Sequence, residues 1–348
     1  MSELVKEPEA LEPVTRQKKV KAPKVKEVKE KERKFKKTHT PLRERFTKTN
    51  IMKVLGRIFI YLLLIEISFI IIYPLFTKLT ASLMSQEDMF DRTVTFIARH
   101  PTLENIATVF QESDFLRAMG NTFLISLLAA TLQTAVCAIT GYGLAKIKSK
   151  LGKVVLGIVV LAVLIPNQVI LIPLYLKFRF FDVFGIIELI KGAKPDSLMN
   201  TLWPIIILSI TGYGFKNGLY SFIMRQFYKG VPDELEEAAA IDGYGTFNTF
   251  FRIILPMAIP MMITNFMFAF SWQWTDTFYS GIFFSNFHVL ANTIFTMSSA
   301  TAGSVGSSYS ASMFLHTGVL MAITPLILIY VVAQRWIIGG IERSGLVG

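Results

Sequence analysis

The most informative stretch of this 348-residue chain reads VPDELEEAAAIDGYGTFNTFFRIILP and covers residues 231–256. Pro232 suits the first turn of a helix, and the acidic residues after it place negative charge at the positive end of the helix dipole. Ala238–Ala240 favour helix, and Gly243 suits the position after the last turn, where φ is positive. The pattern predicts a short helix of about three turns, at roughly residues 232–243.

The composition of the whole chain indicates a membrane protein. Hydrophobic residues make up 52% and charged residues 18%, whereas about 25% of residues are charged in ordinary soluble domains. Six segments are close to the roughly 20 apolar residues that a helix needs to cross a bilayer. These predicted spans are Ile58–Thr77, the segment between Arg117 and Lys146, the segment between Lys153 and Lys177, Ser197–Phe215 with an extension to Met224, Ile253–Thr275 and Met313–Ala333. We therefore expect an all-α membrane protein with six transmembrane helices, and a loop over the Gly/Ser-rich Ser298–Ser312.

Basic residues in the short loops predict the orientation in the membrane. Residues 1–50 contain 16 Lys/Arg against 8 Asp/Glu, and the loop 145–153 contains four Lys and no acidic residue. Residues 278–312 contain neither Lys nor Arg. We therefore expect the first two segments in the cytoplasm, residues 278–312 outside, and both termini in the cytoplasm.

Residues 1–50 are predicted to form a disordered basic tail, because Lys, Glu, Pro and Val dominate their sequence. Residues 51–348 then form a single transmembrane domain. The tail is interpreted as a solvated extension that fixes topology, and attraction to anionic lipid stays open as a second interpretation. Its acidic residues dilute the positive charge, so nucleic acid is not expected as a partner.

The sequence contains no motif for nucleotide, metal or covalent chemistry. The P-loop pattern G-x-x-x-x-G-K-[ST] is absent, since Gly152-Lys153 is followed by Val154. The single cysteine, Cys137, lies within a predicted span and is interpreted as a packing residue. No catalytic residue, cofactor or metal site is predicted.

Polar and aromatic side chains inside the predicted spans are candidates for a transport path, because such groups are costly in lipid. They are Glu66, Asn121, Gln133, Asn167, Gln168 and Trp274. Amides can bind sugar hydroxyls, and Trp272 and Trp274 can stack on a sugar ring. A protonated, hydrogen-bonded role for Glu66 and an interfacial aromatic belt for the tryptophans stay open as alternatives.

The stretch 231–256 resembles the EAA signature of permease subunits in binding-protein-dependent ABC importers. It contains Glu237-Ala238-Ala239, three further residues, Gly243, nine further residues, and Ile253-x-Leu255-Pro256. Shorter stretches resemble the carbohydrate-uptake branch, the six-span relatives of the maltose-transporter permease. They are Thr102–Asn105, Asn121–Leu124, Gly141–Lys146, Trp274–Asp276 and Gln334–Gly340. The resemblance covers about residues 51–340.

This resemblance implies the type I ABC importer permease fold in a bacterial cell membrane. It implies a coupling helix at about 232–243 that docks on an ATPase subunit. Glu237 would form an ion pair with a basic residue of that subunit. Ala238 and Ala239 would permit close approach, Gly243 would allow the turn behind the helix, and Ile253, Leu255 and Pro256 would seat the next span. The implied partners are a second permease, two ATPase subunits, an extracellular solute-binding protein, a sugar substrate and the lipid bilayer.

The implied function is import of a sugar or oligosaccharide, with ATP hydrolysis on the partners and no enzyme activity in this chain. Alternatives stay open: a permease for another solute such as a polyamine or phosphonate, a secondary transporter that needs no ATPase, or an intramembrane enzyme. An enzyme would need convergent ionisable groups, and the predicted spans offer almost none beyond Glu66. A surface helix that only joins two spans is the alternative to a coupling helix.

Overall fold

The computed structural model describes residues 48–147, 149–183, 185–192, 196–214, 216–301 and 307–345. Within these ranges the regular elements are helices, and Met84 and Pro101 form one isolated β-bridge. Residues 1–47, which make up most of the predicted disordered tail, lie outside the described residues. That part of the sequence analysis stays a prediction.

The chain divides into two units, Met1–Ile71 and Ile72–Gly348. The described part of the first unit belongs to helix α1, Lys48–Ser82, which continues into the second unit. Its side chains are exposed from Met52 to Ile71, and most of them are apolar. A helix that is apolar on all sides and exposed along its length is typical of a membrane span.

The second unit consists of helices joined by short connections. The first half contains α2 (Gln86–Phe90), α3 (Glu104–Glu112), α4 (Phe115–Lys146), α5 (Lys150–Leu164), α6 (Asn167–Arg179) and α7 (Ile186–Lys191). The second half contains α8 (Trp203–Ile210), α9 (Asn217–Lys229), α10 (Glu234–Ile241), α11 (Thr246–Thr249), a π-helix (Phe250–Ile254), α12 (Leu255–Met257), α13 (Ile259–Trp274), α14 (Phe278–Phe283), α15 (Leu290–Thr301) and α16 (Ser307–Gly345).

Helix α4 is central to the second unit and packs against α8, α9 and α13. It approaches α9 closely at Gly141, where an added Cβ would lie 2.5 Å from Met224 Cβ and 3.0 Å from Arg225 N. Buried side chains such as Cys137 and Tyr220 fill the same core. The thiol of Cys137 faces the backbone oxygen of Asn217 at 3.5 Å, which fits the predicted packing role.

Polar side chains fix the segment between α1 and α3. The amide of Asn105 donates to the backbone oxygens of Ser82 at 3.1 Å and Met84 at 2.8 Å, and Asn105 itself is buried. The carboxylate of Asp88 accepts the backbone N–H of His100 at 2.7 Å. Asn105, which ends one of the short matches found in the sequence, therefore ties this segment to the end of α1.

Three described helices are long and apolar enough to cross a membrane: Met52–Ser82, Phe115–Lys146 and Ala311–Gly339. Two bent pairs, Lys150–Leu164 with Gln168–Arg179 and Thr246–Met257 with Ile259–Trp274, raise the number to five if each pair is one span. The predicted fourth span consists of the shorter helices α8 and α9, separated by residues 211–216. The count of six spans therefore stays a prediction.

The predicted loop over Ser298–Ser312 is wrong at both ends. Helix α15 continues to Thr301, and α16 begins at Ser307. A hydroxyl-rich sequence is compatible with helix because a hydroxyl can bond to the carbonyl one turn earlier. Thr296 Oγ1 does so in α15, where it donates to Asn292 O at 2.6 Å.

Candidate functional site

The acidic, alanine-rich stretch folds as α10, Glu234–Ile241. It is shorter at both ends than the predicted three turns at about 232–243: Pro232 lies before the helix, and Asp242 caps its end. The first backbone bond that spans four residues joins the N–H of Glu237 to Asp233 O at 3.1 Å. The acidic residues Glu234, Glu236 and Glu237 occupy the first turn, at the positive end of the helix dipole.

The end of α10 is a Schellman motif. The N–H of Gly243 donates to Ala240 O at 3.1 Å, and the N–H of Tyr244 donates to Ala239 O at 2.9 Å. Gly243 has φ of 84°, in the left-handed region that side chains with a Cβ rarely adopt. The backbone therefore has the positive φ that the sequence predicts at this glycine.

Helix α10 has one buried side and one exposed side. Ala239 is 2% exposed, whereas Glu237 and Ala238 are exposed. Ile241 is 87% exposed and Phe247, in the next helix, is 82% exposed. We call Glu237, Ala238, Ile241 and Phe247 the α10 surface. Large apolar side chains this exposed beside acidic ones are typical of a protein contact.

Lys146, the last residue of α4, holds the start of α10. Its Nζ atom lies 2.8 Å from Val231 O, 2.7 Å from Asp233 Oδ1 and 3.4 Å from Glu236 Oε1. The Lys146 side chain is only 9% exposed. The sequence pattern indicates orientation and family resemblance at this lysine, but it does not predict the contact with residues 85 and 87 positions later. The available signal was a lysine directly after an uncharged apolar segment, together with an acidic helix start elsewhere in the chain.

The second part of the predicted coupling segment is irregular helix. The π-helix precedes Leu255 and Pro256, and a π-helical turn is often associated with function. Ile253 and Leu255 are half-buried and pack on the core around α4, whereas Pro256 is exposed. These residues lie at the start of the bent pair that ends at Trp274.

That bent pair has a proline on each side of its bend. Thr246–Met257 and Ile259–Trp274 meet at 74°. Pro256 and Pro260 have no backbone N–H, so the helix lacks bonds on both sides of Ala258. The missing N–H groups of the two prolines therefore account for the bend, which lies directly after the predicted coupling residues.

A cavity of about 910 Å³, which we call the central cavity, lies between α4, α5, α9 and the end of α13. Two interruptions of helix open into it, one between α5 and α6 and one between α8 and α9. Helices α5 and α6 meet there at 102°. Its polar lining includes Thr140, Gln168, Thr211, Lys216, Asn217, Trp272, Thr275 and Asp276.

The structure separates the predicted pathway residues. Gln168 lines the central cavity. Gln133 is buried, and its Oε1 atom has no hydrogen-bond partner among the described residues. Asn121 donates to His288 O at 2.8 Å, away from that cavity. Glu66 is exposed on α1, and the side chain of Asn167 lies outside what the structure describes.

The interfacial-belt interpretation of Trp274 is wrong, because this side chain is only 4% exposed. Trp274 does not line the central cavity, and its place on a transport path stays a prediction. Its Nε1 atom donates to Ala322 O at 2.9 Å and joins α13 to α16. Trp272, two residues earlier, is 49% exposed and lines the central cavity. Residues two positions apart lie on nearly opposite sides of an α-helix, so the two tryptophans have different environments.

Residues 135–342 match the family described as binding-protein-dependent transport system inner membrane component. The chain belongs to this family. The matched region contains α10, Lys146 and the central cavity, so the resemblance to permease subunits of binding-protein-dependent importers is confirmed. Membership in this family of membrane transport components also separates the chain from the intramembrane enzymes.

Relatives in this transport family cover most of the chain. A probable starch degradation products transport system permease, AmyC of Thermoanaerobacterium thermosulfurigenes, is 25% identical over 80% of this chain and 92% of its own length. The arabinooligosaccharides transport system permease AraQ of Halalkalibacterium halodurans is 25% identical over 81% of this chain and 93% of its own.

A solved structure has the same fold. It is a bacterial ABC transporter involved in the import of the acidic polysaccharide alginate, and the two folds agree with a TM-score of 0.65 at 19% identity. The match covers 85% of this chain and 99% of the other. The fold is therefore that of an ABC importer permease.

Proposed function

We propose that this permease forms part of the translocation path for a sugar or oligosaccharide and is driven by separate ATPase subunits through α10. The names of the relatives AmyC and AraQ, which refer to starch degradation products and arabinooligosaccharides, support the substrate class. The partners would be a second, similar permease, two ATPase subunits and an extracellular solute-binding protein. Both termini and α10 would lie in the cytoplasm, as the basic loops predict.

The observation that carries the proposal is the exposed α10 surface on a rigidly held helix. Glu237 and Ala238 are exposed while Ala239 packs inward. The Schellman motif fixes one end of α10, and the bonds from Lys146 fix the other. A helix held at both ends transmits a force applied to its outer side, which a flexible connection would not do.

Two routes lead from α10 to the central cavity. Lys146 joins α10 to α4, and Thr140 of α4 lines that cavity. Residues 246–257 join α10 to α13, whose Trp272 lines the same cavity. Closure of the ATPase pair would therefore move two walls of the cavity together, which is the geometric requirement of alternating access.

The coupling role is tested by Glu237→Lys in the assembled importer. Glu237 is exposed and would face a basic residue of the ATPase, so the reversed charge would repel it. We expect the variant to insert in the membrane normally but to co-purify with at least about tenfold less ATPase subunit, since tenfold is about 1.4 kcal/mol. Oligosaccharide uptake should fall in parallel.

Glu104→Lys is the matched control. Glu104 is also exposed and also lies in the first turn of a helix, α3. It should leave both ATPase recovery and uptake unchanged. Normal recovery and uptake with Glu237→Lys would disprove the coupling assignment, and uptake that continues without any ATPase subunit would favour a secondary transporter.

A further inference from the structure

Among the residues that the structure describes, the lining of the central cavity contains one cationic side chain, and it forms no ion pair. Lys216 and Asp276 are the charged residues of its lining. Both oxygens of the Asp276 carboxylate accept hydrogen bonds from the residues that directly follow it. Oδ1 accepts the N–H groups of Phe278 and Tyr279 at 2.9 and 3.1 Å. Its Oδ2 accepts the N–H and the hydroxyl of Ser280 at 2.7 and 2.8 Å. Lys216 forms no ion pair with any residue that the structure describes.

Trp272 positions this lysine at the cavity wall. Lys216 Nζ lies 4.8 Å from the centroid of the Trp272 indole, within the roughly 6 Å range of cation–π contacts. Both residues line the central cavity. An aromatic ring attracts the ammonium but offers it no oxygen acceptor, so the N–H donors of Lys216 stay available to a ligand.

Two helices begin at the same cavity. Gln168, in the first turn of α6, lines it, and so does Asn217, the first residue of α9. A helix N-terminus carries partial positive charge, and interrupted transmembrane helices use such ends to bind anionic substrate groups. The two helix ends therefore have the same sign as Lys216.

The wall beside Lys216 also carries buried oxygens that need hydrogen-bond donors. Asn217 is 2% exposed and donates through Nδ2 to Ser209 O at 3.2 Å, but its Oδ1 has no partner among the described residues. Gln133 lies behind the cavity lining, and its buried Oε1 also has no partner among the described residues. A Cβ added to Gly214 would lie 3.0 Å from Asn217 Oδ1 and 3.0 Å from Gln133 Nε2, so both amides adjoin the helix interruption. Sugar hydroxyls entering this interruption would supply the donors.

We propose that the central cavity binds an acidic saccharide and that Lys216 contacts its acid group. This inference rests on the proposed function and narrows its substrate class to sugars that carry a carboxylate or similar group. The volume of about 910 Å³ lies within the roughly 300–1,000 Å³ of small-molecule sites. The hydroxyls of Thr140, Thr211 and Thr275 line the same cavity and provide further partners for the sugar.

The test measures equilibrium binding of two probes to the full permease complex in nanodiscs of uncharged lipid. The probes are a trisaccharide of galacturonate and the matched neutral trisaccharide of galactose. We expect the acidic probe to bind about tenfold more tightly, the factor that corresponds to roughly 1.4 kcal/mol from one charge-assisted hydrogen bond. Lys216→Gln should remove this preference without weakening the neutral probe.

Two further variants keep the result interpretable. Lys216→Arg retains the charge and should retain the preference, and Lys150→Gln removes an exposed lysine outside the cavity and should have no effect. Equal binding of the two probes, binding of neither, or a preference that survives Lys216→Gln would overturn the proposal. So would Lys216-dependent retention of phosphatidylglycerol in place of the sugar. Co-purification of the ATPase subunits with the permease tests the proposed function independently of sugar binding.

Discussion

Lys146 Nζ lies 2.7 Å from Asp233 Oδ1, and this ion pair joins the last residue of α4 to the residue before α10. The pair is asymmetric, because the lysine side chain is 9% exposed and the aspartate side chain 55% exposed. The lysine also donates to Val231 O. A nearly buried cation of this kind is worth more than a surface ion pair, because its loss leaves the oxygen of the buried Val231 without a donor, whereas water can solvate the exposed Asp233.

Lys146→Met should therefore destabilise the protein and loosen α10. The variant keeps the apolar stem and removes the ammonium, with an expected loss of about 1.5–3 kcal/mol. The measurement is the thermal unfolding temperature in detergent, together with ATPase recovery. Lys150→Met removes an exposed lysine four residues later and serves as control. An unfolding temperature equal to that of the control would show that the contact contributes nothing.

Gly243→Val should cost about 1–2 kcal/mol, because a residue with a Cβ is strained in the left-handed region. Gly243 has φ of 84° and open space around its Cβ position, so the cost comes from the backbone and not from a clash. Gly245→Val is the matched control, since Gly245 has φ of −77° and equally open space. Thermal unfolding measures the difference.

A rescue variant separates backbone strain from lost contact with a partner. Gly243→Asn should recover most of the stability, because asparagine tolerates positive φ. If Gly243→Asn and Gly243→Val unfold at the same temperature, the conformational explanation fails.

Local sequence predicts α10 well because the cause is local. Acidic residues in the first turn and Gly243 after the last turn act on neighbouring backbone groups, and the structure has both features. The extent of the helix is predicted less well, because the sequence does not show that the first backbone bond spanning four residues is accepted by Asp233 and not by Pro232. The role of this helix in coupling rests on resemblance and on its exposed surface.

Long-range packing decides what the sequence could not predict. Lys146 and Asp233 are 87 residues apart, so no periodicity links them. Trp272 and Trp274 have the same residue type in the same helix, yet one lines the central cavity and the other is buried against α16. Hydropathy finds apolar segments but does not show that three of them are interrupted: at 165–166, between α8 and α9, and at Ala258.

Gly141→Ala should destabilise the contact between α4 and α9. The added Cβ would lie 2.5 Å from Met224 Cβ and 3.0 Å from Arg225 N, and a backbone atom cannot rotate away. Overpacking of this kind costs roughly 1–3 kcal/mol.

Gly120→Ala lies in the same helix and has open space around the added Cβ. It should be neutral or stabilising by up to about 1 kcal/mol, because alanine favours helix over glycine. Opposite shifts of the two unfolding temperatures are expected, and shifts of the same sign would contradict the close approach at Gly141.

The segment between α1 and α3 should lose stability in acid through Asp88. The backbone N–H of His100 is the main cause that lowers the pKa of Asp88 below its ordinary value of 3.8, and the His100 ring at 3.2 Å adds to it. A lowered carboxyl pKa means that the stabilisation is complete above the ordinary pKa and is lost as pH falls through the lowered one. Asp88→Asn should therefore unfold at lower temperature than the natural chain at pH 7, with the gap closing below about pH 4. Asp114→Asn is the control, because Asp114 is exposed and its positive φ suits asparagine, so this variant should show no such gap. A gap for Asp88→Asn that stayed constant down to about pH 2 would show that the bond does not depend on ionisation.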